Sequence, residues 1–192
     1  IDAARAHVHL LTYIFLLDPA GATIARALLA AARRGVQVRL LVDGVGSKDF
    51  LSSDLRRSLE AGGVQVAEAL PVSLLRLLFA RLDIRNHRKL LVVDGEVAFV
   101  GGINLIDDRL DIHHGTTMLP RLDFAVQVRG ALVDTIALGL RSIWSRAWLG
   151  RDFDDALLDY IPLRRRVGRW LTQLWRGPQR LPQIPPCLPS TC

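Results

Sequence analysis

The stretch VHLLTYIFLLDPAGATIARALLAAARRGVQVRLLV (residues 8–42) decides the fold class of this chain. It opens with an apolar run rich in β-branched and aromatic residues, 8–16, which predicts a buried strand. Residues 22–34 then carry apolar side chains at helical spacing, with arginines in the last turn and Gly35 directly after it. A second continuous apolar strand follows over 36–42. Strand, helix and strand in this order indicate a unit with two parallel strands.

Within this unit, Pro19 and Gly21 separate the first strand from the helix. Further elements follow along the chain. The other predicted elements are a helix over 50–61, a strand beginning at 64–66, strands over 90–93, 97–100 and 122–128, and a helix over 131–148. The pair Asp94-Gly95 lies between two of these strands and predicts a β-hairpin. We therefore expect an α/β fold whose mixed, mostly parallel β-sheet is flanked by helices.

The charge of the chain is divided unevenly along its length. The 192 residues (21.3 kDa) suit one domain, half of them are hydrophobic, and the net charge is +6. Residues 1–160 carry 19 acidic and 19 basic side chains. The excess comes from six arginines in the rest of the chain: Arg164, Arg165, Arg166, Arg169, Arg176 and Arg180. We expect a neutral domain over 1–160 and a basic, proline-rich tail over 161–192.

The cysteines and the apolar runs exclude several classes of protein. The two cysteines, Cys187 and Cys192, lie at the extreme end, which excludes a disulfide framework and a cysteine-based metal site. No apolar run is long enough for a transmembrane helix, and no signal peptide opens the chain. Because the first residue is Ile1, we expect the sequence to be an excerpt of a longer protein.

The stretch that carries chemistry is His87-Arg88-Lys89, followed after four residues by Asp94. Side chains alternate along a strand, so we expect His87 and Lys89 to share one face. An imidazole can attack phosphorus as a nucleophile, while an adjacent ammonium neutralises charge on the phosphate oxygens. Asp94 has the opposite parity and follows the strand, where it suits an anchor of the turn. The pattern therefore predicts phosphoryl chemistry.

A glycine-led turn, Gly101-Gly102-Ile103-Asn104, follows the second hairpin strand directly. Glycines allow a backbone to approach a phosphate closely, and the Asn104 amide can donate hydrogen bonds to its oxygens. We therefore predict that Gly101, Gly102 and Asn104 bind the substrate.

These residues together resemble the phospholipase D superfamily. In that family an HxKxxxxD block, here His87, Lys89 and Asp94, is followed by a glycine-led turn and an asparagine. Three further stretches are similar to the first half of the bacterial cardiolipin synthase branch: Thr12-Tyr13-Ile14-Phe15, residues 41–47 (LVDGVGS), and residues 122–126 (LDFAV) followed by Gly130. The resemblance covers roughly residues 1–150.

The resemblance implies a role for each motif residue. His87, Lys89 and Asp94 form the catalytic block, in which His87 is the nucleophile that forms a phosphohistidine. Lys89 and Asn104 hold phosphate oxygens, and Asp123 is the acid that orients the histidine. The resemblance implies no metal and no cofactor. The substrate is phosphatidylglycerol, and the hydroxyl of a second phosphatidylglycerol resolves the intermediate.

One departure from the family concerns the number of motifs, because family active sites use two and this chain has one. The other histidines, His7, His9, His113 and His114, have no lysine two positions on. Either two copies of the chain pair about a two-fold axis, or the chain is the N-terminal half of a two-motif enzyme. We expect peripheral association with the cytoplasmic face of the bacterial inner membrane, or anchoring by a segment outside this chain.

Several other features have competing interpretations. An acidic and histidine-rich stretch over 107–114 could imitate a metal site, but we expect a solvated loop. Residues 161–176 combine arginines with tryptophans at helical spacing, which suits either an anionic membrane surface or a connector packed on a second half. Residues 70–82 suit either a buried helix or a lid that dips into lipid.

Three functions remain open at this level. The first is a phosphatidyltransferase of the cardiolipin synthase type, or its N-terminal half. The second is a phosphodiesterase that acts on nucleic acid, which the neutral charge of residues 1–160 argues against. The third is an inactive fragment with half an active site.

Overall fold

The computed structural model describes residues 1–69, 85–111 and 115–157, with side chains as far as Leu149. The chain divides into two compact units, Ile1–Gly150 and Arg151–Cys192. The predicted segments 70–82 and 161–176 lie outside the described residues. The predicted domain boundary at residue 160 therefore stays a prediction.

The decisive first stretch folds as a β-α-β unit. Strand β1 spans His7–Thr12, helix α1 spans Pro19–Arg33, and strand β2 spans Gln37–Asp43. β1 and β2 pair in parallel, which confirms the predicted parallel members.

Pro19 and Gly21 belong to helix α1, so the start predicted at residue 22 was three residues late. Asp18 caps this helix because its Oδ1 accepts a hydrogen bond of 2.7 Å from the Gly21 N–H. Pro19 occupies the first helical position, where its missing N–H costs nothing. Strand β1 already ends at Thr12 and not at the predicted residue 16, so Pro19 and Gly21 begin the helix and do not end the strand.

The predicted helix over 50–61 is two helices, α2 (Lys48–Leu51) and α3 (Asp54–Ala61). The break follows from Ser53, whose hydroxyl accepts a hydrogen bond of 3.2 Å from the Arg56 N–H and caps α3. Strand β3 (Gln65–Ala69) then pairs in parallel with β2.

The second part of the sheet is antiparallel. Strands β4 (Lys89–Val93) and β5 (Val97–Gly101) form the predicted hairpin around Asp94-Gly95. A small ladder of β6 (Leu110–Asp111) and β7 (Gly115–Thr116) precedes β8 (Ala125–Arg129), which begins three residues later than predicted. Helix α4 (Leu132–Leu157) follows β8.

The main sheet has the order β3-β2-β1-β4-β5-β8. The pairs β3-β2 and β2-β1 are parallel, and the pairs β1-β4, β4-β5 and β5-β8 are antiparallel. These pairings give four strands one direction and β4 and β8 the other. The predicted mixed α/β sheet flanked by helices is thus confirmed.

Alternate residues of the strands pack on two hydrophobic layers. On one face, Val8 and Leu10 of β1 pack with α1 and α3. On the other face, Leu11 and Leu41 pack with Val133 and Trp144 of α4. Because side chains alternate along a strand, β1 and β2 are covered on both faces, and their carboxyl ends remain available for a site.

Candidate active site

The predicted site residues other than Asp94 gather where β1 ends and β4 begins. Lys89 pairs with Gly101 at the end of β5, and Gly101 pairs with Ala125 at the start of β8. Tyr13 directly follows β1, which runs antiparallel to β4. The carboxyl ends of the parallel strands β1 to β3 lie at this same edge, which is where open α/β sheets bind ligands.

His87 precedes β4 by two residues and is exposed. Its direction is therefore not set by strand alternation, on which the prediction of a shared face with Lys89 depended. Its imidazole stacks on the Tyr13 ring, with centroids 4.0 Å apart and planes inclined by 21°. Among the described residues, no hydrogen bond reaches the imidazole. The histidine that resembles the family nucleophile is therefore open to a substrate and held by an aromatic contact.

Lys89 is the first residue of β4 and lies beside His87. Its Nζ donates a hydrogen bond of 2.7 Å to the His87 carbonyl and lies 5.6 Å from the centroid of the Tyr13 ring. Burial lowers the pKa of Lys89, and the negative charge of Asp123 opposes this by favouring the ammonium. The Lys89 ammonium and the His87 imidazole thus both contact the Tyr13 ring.

Asn104 is tied to the same segment through its side-chain oxygen. Oδ1 accepts a hydrogen bond of 3.1 Å from the N–H of Ile14, the residue after Tyr13. Since the oxygen is engaged, the Asn104 NH₂ group is the part of the amide left to donate elsewhere. This orientation suits the predicted contact with a phosphate oxygen.

Gly101 and Gly102 serve different purposes at this edge. A Cβ on Gly101 would lie 2.2 Å from the Phe124 carbonyl oxygen and 2.5 Å from the Ala125 Cα, so the close approach of β8 requires glycine. A Cβ on Gly102 would lie 3.5 Å from Oδ1 of Asp123, which places that carboxylate over the turn. No hydrogen bond between Asp123 and His87 occurs within the described part of the chain. The orienting role of Asp123 stays a prediction.

Asp94 lies at the opposite end of β4, about 16 Å from Lys89 at the rise of a strand. Its carboxylate accepts backbone hydrogen bonds of 2.8–2.9 Å from the N–H groups of Arg5, Ala6 and His7. Burial acts to raise the pKa of Asp94, but these hydrogen bonds outweigh it and hold the pKa below its usual value. This geometry suits a turn anchor and separates Asp94 from His87 and Lys89, with which the motif groups it.

An ion pair that the sequence did not predict lies in the segment just before His87. Arg85 Nη1 is 3.7 Å from Oδ2 of Asp43, and both side chains are buried. Oδ1 of Asp43 accepts hydrogen bonds from the N–H groups of Val45 and Gly46 after β2. The pair therefore links the segment before β4 to the end of β2. The sequence offered a weak signal for it, a charged residue that ends an apolar strand.

A pocket of about 340 Å³ lies beside Lys89 and is lined mostly by apolar atoms. Its walls come from the ends of β4 and β5 and from the start of α4, including Leu90, Val100 and Ile136. A concave apolar surface beside polar groups is the usual form of a small-molecule site.

The described residues contain neither a cluster of metal ligands nor a membrane-spanning helix. No three His, Cys, Asp or Glu side chains there lie close enough together to hold a metal ion. Of the predicted acidic loop, Asp107 Oδ1 accepts a hydrogen bond from the Arg109 N–H, while His113 and His114 lie outside the described residues. No helix of this part is long and apolar enough to span a bilayer.

A mixed sheet that presents histidine, lysine, asparagine and an acid at one edge defines a phospholipase D-like domain. The family model described as "Cardiolipin synthase, PLD-like domain" matches residues 1–119, and the chain belongs to this family.

Curated relatives agree with this membership, and a solved structure shares the fold. Cardiolipin synthase A of Erwinia tasmaniensis is 43% identical over 93% of this chain and 37% of its own length. Cardiolipin synthase A of Yersinia pseudotuberculosis is 34% identical over 75% of this chain and 29% of its own. The chain thus spans about a third of the length of these relatives. NucT from Helicobacter pylori shares the fold, with a TM-score of 0.52 at 14% identity over 75% of this chain and 82% of that one.

Proposed function

We propose that this chain is one half of a phosphatidyltransferase of the cardiolipin synthase type that acts on phosphatidylglycerol. The observation that carries the proposal is the shared position of His87 and Lys89 on the Tyr13 ring, beside Asn104. The names of the curated relatives support the substrate class.

In the proposed reaction, a ring nitrogen of His87 attacks the phosphorus of phosphatidylglycerol. The bond from phosphorus to the head-group glycerol breaks, and glycerol leaves with a proton from a general acid. Lys89 and the NH₂ group of Asn104 neutralise the non-bridging oxygens as charge develops. The hydroxyl of a second phosphatidylglycerol then attacks the phosphohistidine and gives its proton to the group that protonated glycerol. The bond from phosphorus to the ring nitrogen breaks, which releases cardiolipin and restores the imidazole.

A second catalytic half supplies the general acid in this proposal, either in the same polypeptide or as a second copy of the chain. Exposed large apolar side chains on this chain support such a partner. Eleven of the thirteen within the described residues lie in its second part: Phe99, Ile103, Met118, Leu119, Leu122, Phe124, Val126, Leu132, Leu138, Trp148 and Leu149. Exposed apolar surface is typical of an interaction site, and two of these residues, Leu122 and Phe124, flank Asp123 in the chain.

The membrane assignment is part of the same proposal. An apolar pocket beside Lys89 suits an acyl chain near the scissile phosphate, and phosphatidylglycerol is itself an anionic membrane lipid. We therefore place the protein peripherally on the inner membrane, with the site facing the lipid surface.

The proposal is tested with phosphatidylglycerol vesicles and quantification of cardiolipin and glycerol by mass spectrometry. We expect turnover by the wild type, none by His87→Asn, and wild-type turnover by His7→Asn, whose histidine lies at the other end of β1. Light scattering reports whether the chain is a dimer of about 43 kDa, twice the 21.3 kDa monomer. Turnover that survives His87→Asn contradicts the proposal, and an inert monomer contradicts the homodimeric form. Cleavage of plasmid DNA that requires His87 would favour a nuclease instead.

A further inference from the structure

Tyr13 is held in place through its backbone. The Ser47 hydroxyl donates a hydrogen bond of 2.9 Å to the Tyr13 carbonyl and accepts one of 2.9 Å from the Phe15 N–H. Ile14 between them donates its N–H to Asn104 and accepts from the Thr12 hydroxyl at 2.9 Å. Since Ser47 and Thr12 are buried, the segment that presents Tyr13 is rigid on both sides.

The Tyr13 ring is packed as closely as its backbone. A Cβ on Gly46 would lie 2.4 Å from the Tyr13 carbonyl oxygen and 3.1 Å from the ring atoms Cε1 and Cζ. Any larger residue at position 46 would therefore displace the ring. Gly46 thus restricts the half-buried Tyr13 ring on one side, and the ring contacts both His87 and Lys89.

His87 depends on this contact for its orientation. It precedes β4 and is exposed, so neither the ladder of the sheet nor a packed core restrains its side chain. Within residues 1–69, 85–111 and 115–149, no hydrogen bond fixes the imidazole, whereas the Tyr13 ring stacks on it at 4.0 Å with the planes inclined by 21°. A stacked aromatic pair of this kind favours the stacked rotamer by roughly two- to tenfold.

We infer that Tyr13 is a positioning residue, whose ring aligns the His87 imidazole for attack on phosphorus and keeps the Lys89 ammonium beside it. The inference rests on the proposed function for the reaction, but the stacking that it requires is independent of any substrate. Stacking restrains the imidazole without using either ring nitrogen. Both nitrogens remain free, one for the attack and the other for a hydrogen bond with an orienting acid.

The stacking is tested first by NMR on protein with labelled histidine. A ring stacked at 4.0 Å shifts the His87 Cε1–H and Cδ2–H resonances upfield. We expect Tyr13→Phe to preserve the upfield shift and Tyr13→Leu to abolish it, while the resonances of the buried His9 stay unchanged and report an intact fold. Wild-type shifts in Tyr13→Leu would overturn the inference. So would loss of the shift in Tyr13→Phe, because the hydroxyl would then hold the histidine.

The consequence for turnover is measured on phosphatidylglycerol vesicles. Misalignment of a reacting group by about 1 Å costs roughly 10²-fold in rate, so we expect Tyr13→Leu to lower kcat by about that factor with little change in KM. Tyr13→Phe should restore kcat. Equal kcat in Tyr13→Leu and wild type would overturn the positioning role. If the wild type itself is inert, the homodimeric form of the proposed function fails, while the NMR comparison still decides the stacking.

Discussion

Lys89 extends back along the chain, and its Nζ donates a hydrogen bond of 2.7 Å to the backbone carbonyl of His87. The cation is thereby kept beside the imidazole before any substrate is present. A phosphate that binds at His87 can replace the carbonyl as acceptor, and this exchange strengthens the hydrogen bond because the acceptor becomes charged. The ammonium is therefore positioned in advance for a charged acceptor.

Replacement of this cation gives the most direct prediction. We expect Lys89→Met to lower kcat on phosphatidylglycerol by about 10²–10³-fold, the usual cost of removing one group that stabilises developing negative charge. Lys48→Met is the matched control, since Lys48 is the only other lysine and is exposed on α2. Both variants should unfold at the wild-type urea concentration. Equal losses in the two variants would contradict a specific role for Lys89.

Asp94 is expected to matter for stability rather than for chemistry. Asp94→Ala removes the acceptor for three backbone N–H groups and leaves an alanine at φ 53°, so we expect a loss of about 2–4 kcal/mol in unfolding free energy. Asp94→Asn keeps an oxygen acceptor and tolerates this φ, so it should lose less than half as much. Urea titration measures both. A large drop in kcat for the folded Asp94→Asn variant would show instead that Asp94 takes part in catalysis.

Two glycines should respond in opposite directions to the same substitution. Gly101→Ala forces β8 away from β5, so we expect loss of stability of about 2 kcal/mol or more. Gly139 lies in α4 with nothing within 4 Å of its Cβ position, so Gly139→Ala should stabilise by about 0.5–1 kcal/mol. Thermal unfolding of the two variants compares them directly. Similar effects for both would show that β8 does not depend on its close approach to Gly101.

The buried His9 predicts a dependence of stability on pH. Burial, together with the positive charges of Arg39, His7 and Arg141, lowers the pKa of His9 to about 4. Its Nε2 atom has no hydrogen-bond partner among the described residues.

The direction of this pH dependence follows from comparing the pKa of His9 in the unfolded and the folded chain. In the unfolded chain it takes up a proton near pH 6.5, but in the folded chain only near pH 4, so acid favours unfolding between these values. We expect the unfolding free energy to fall by up to about 3 kcal/mol from pH 7 to pH 4 through this group. His9→Leu should lose that part of the dependence, and His87→Asn, at an exposed site, should keep it. Urea midpoints measured across this range check the expectation, and parallel curves for wild type and His9→Leu would contradict it.

The β-α-β unit was predictable because its signals are local. The apolar runs over β1 and β2 and the helical spacing of α1 depend on residues close together in the chain. Gly35 predicted the end of the helix, and in the structure it adopts the positive φ of 85° that this position favours. The hairpin was predictable for the same reason, since Asp94-Gly95 forms a turn by itself. The division between α2 and α3 was missed because one capping serine outweighed a continuous helical pattern.

The candidate site divides along the same line. The spacing of His87, Lys89, Gly102 and Asn104 was visible in the sequence, and the sheet brings Lys89, Gly102 and Asn104 to one edge with His87 beside them. The contribution of Tyr13 was not visible. It belongs to the TYIF stretch, and nothing in that stretch indicates that its ring meets a histidine from a distant segment.

By itself, the sequence determined the order of the elements, the α/β class and the residue types available for phosphoryl chemistry, because these depend on periodicity, turn residues and spacing within short segments. Only the tertiary structure decided that Asp94 anchors β1, that Arg85 pairs with Asp43, and that Tyr13 supports His87. Each of these contacts joins segments that are remote in the chain. The pairing of β1 with β4 in one register brings them together, and no local pattern contains that register.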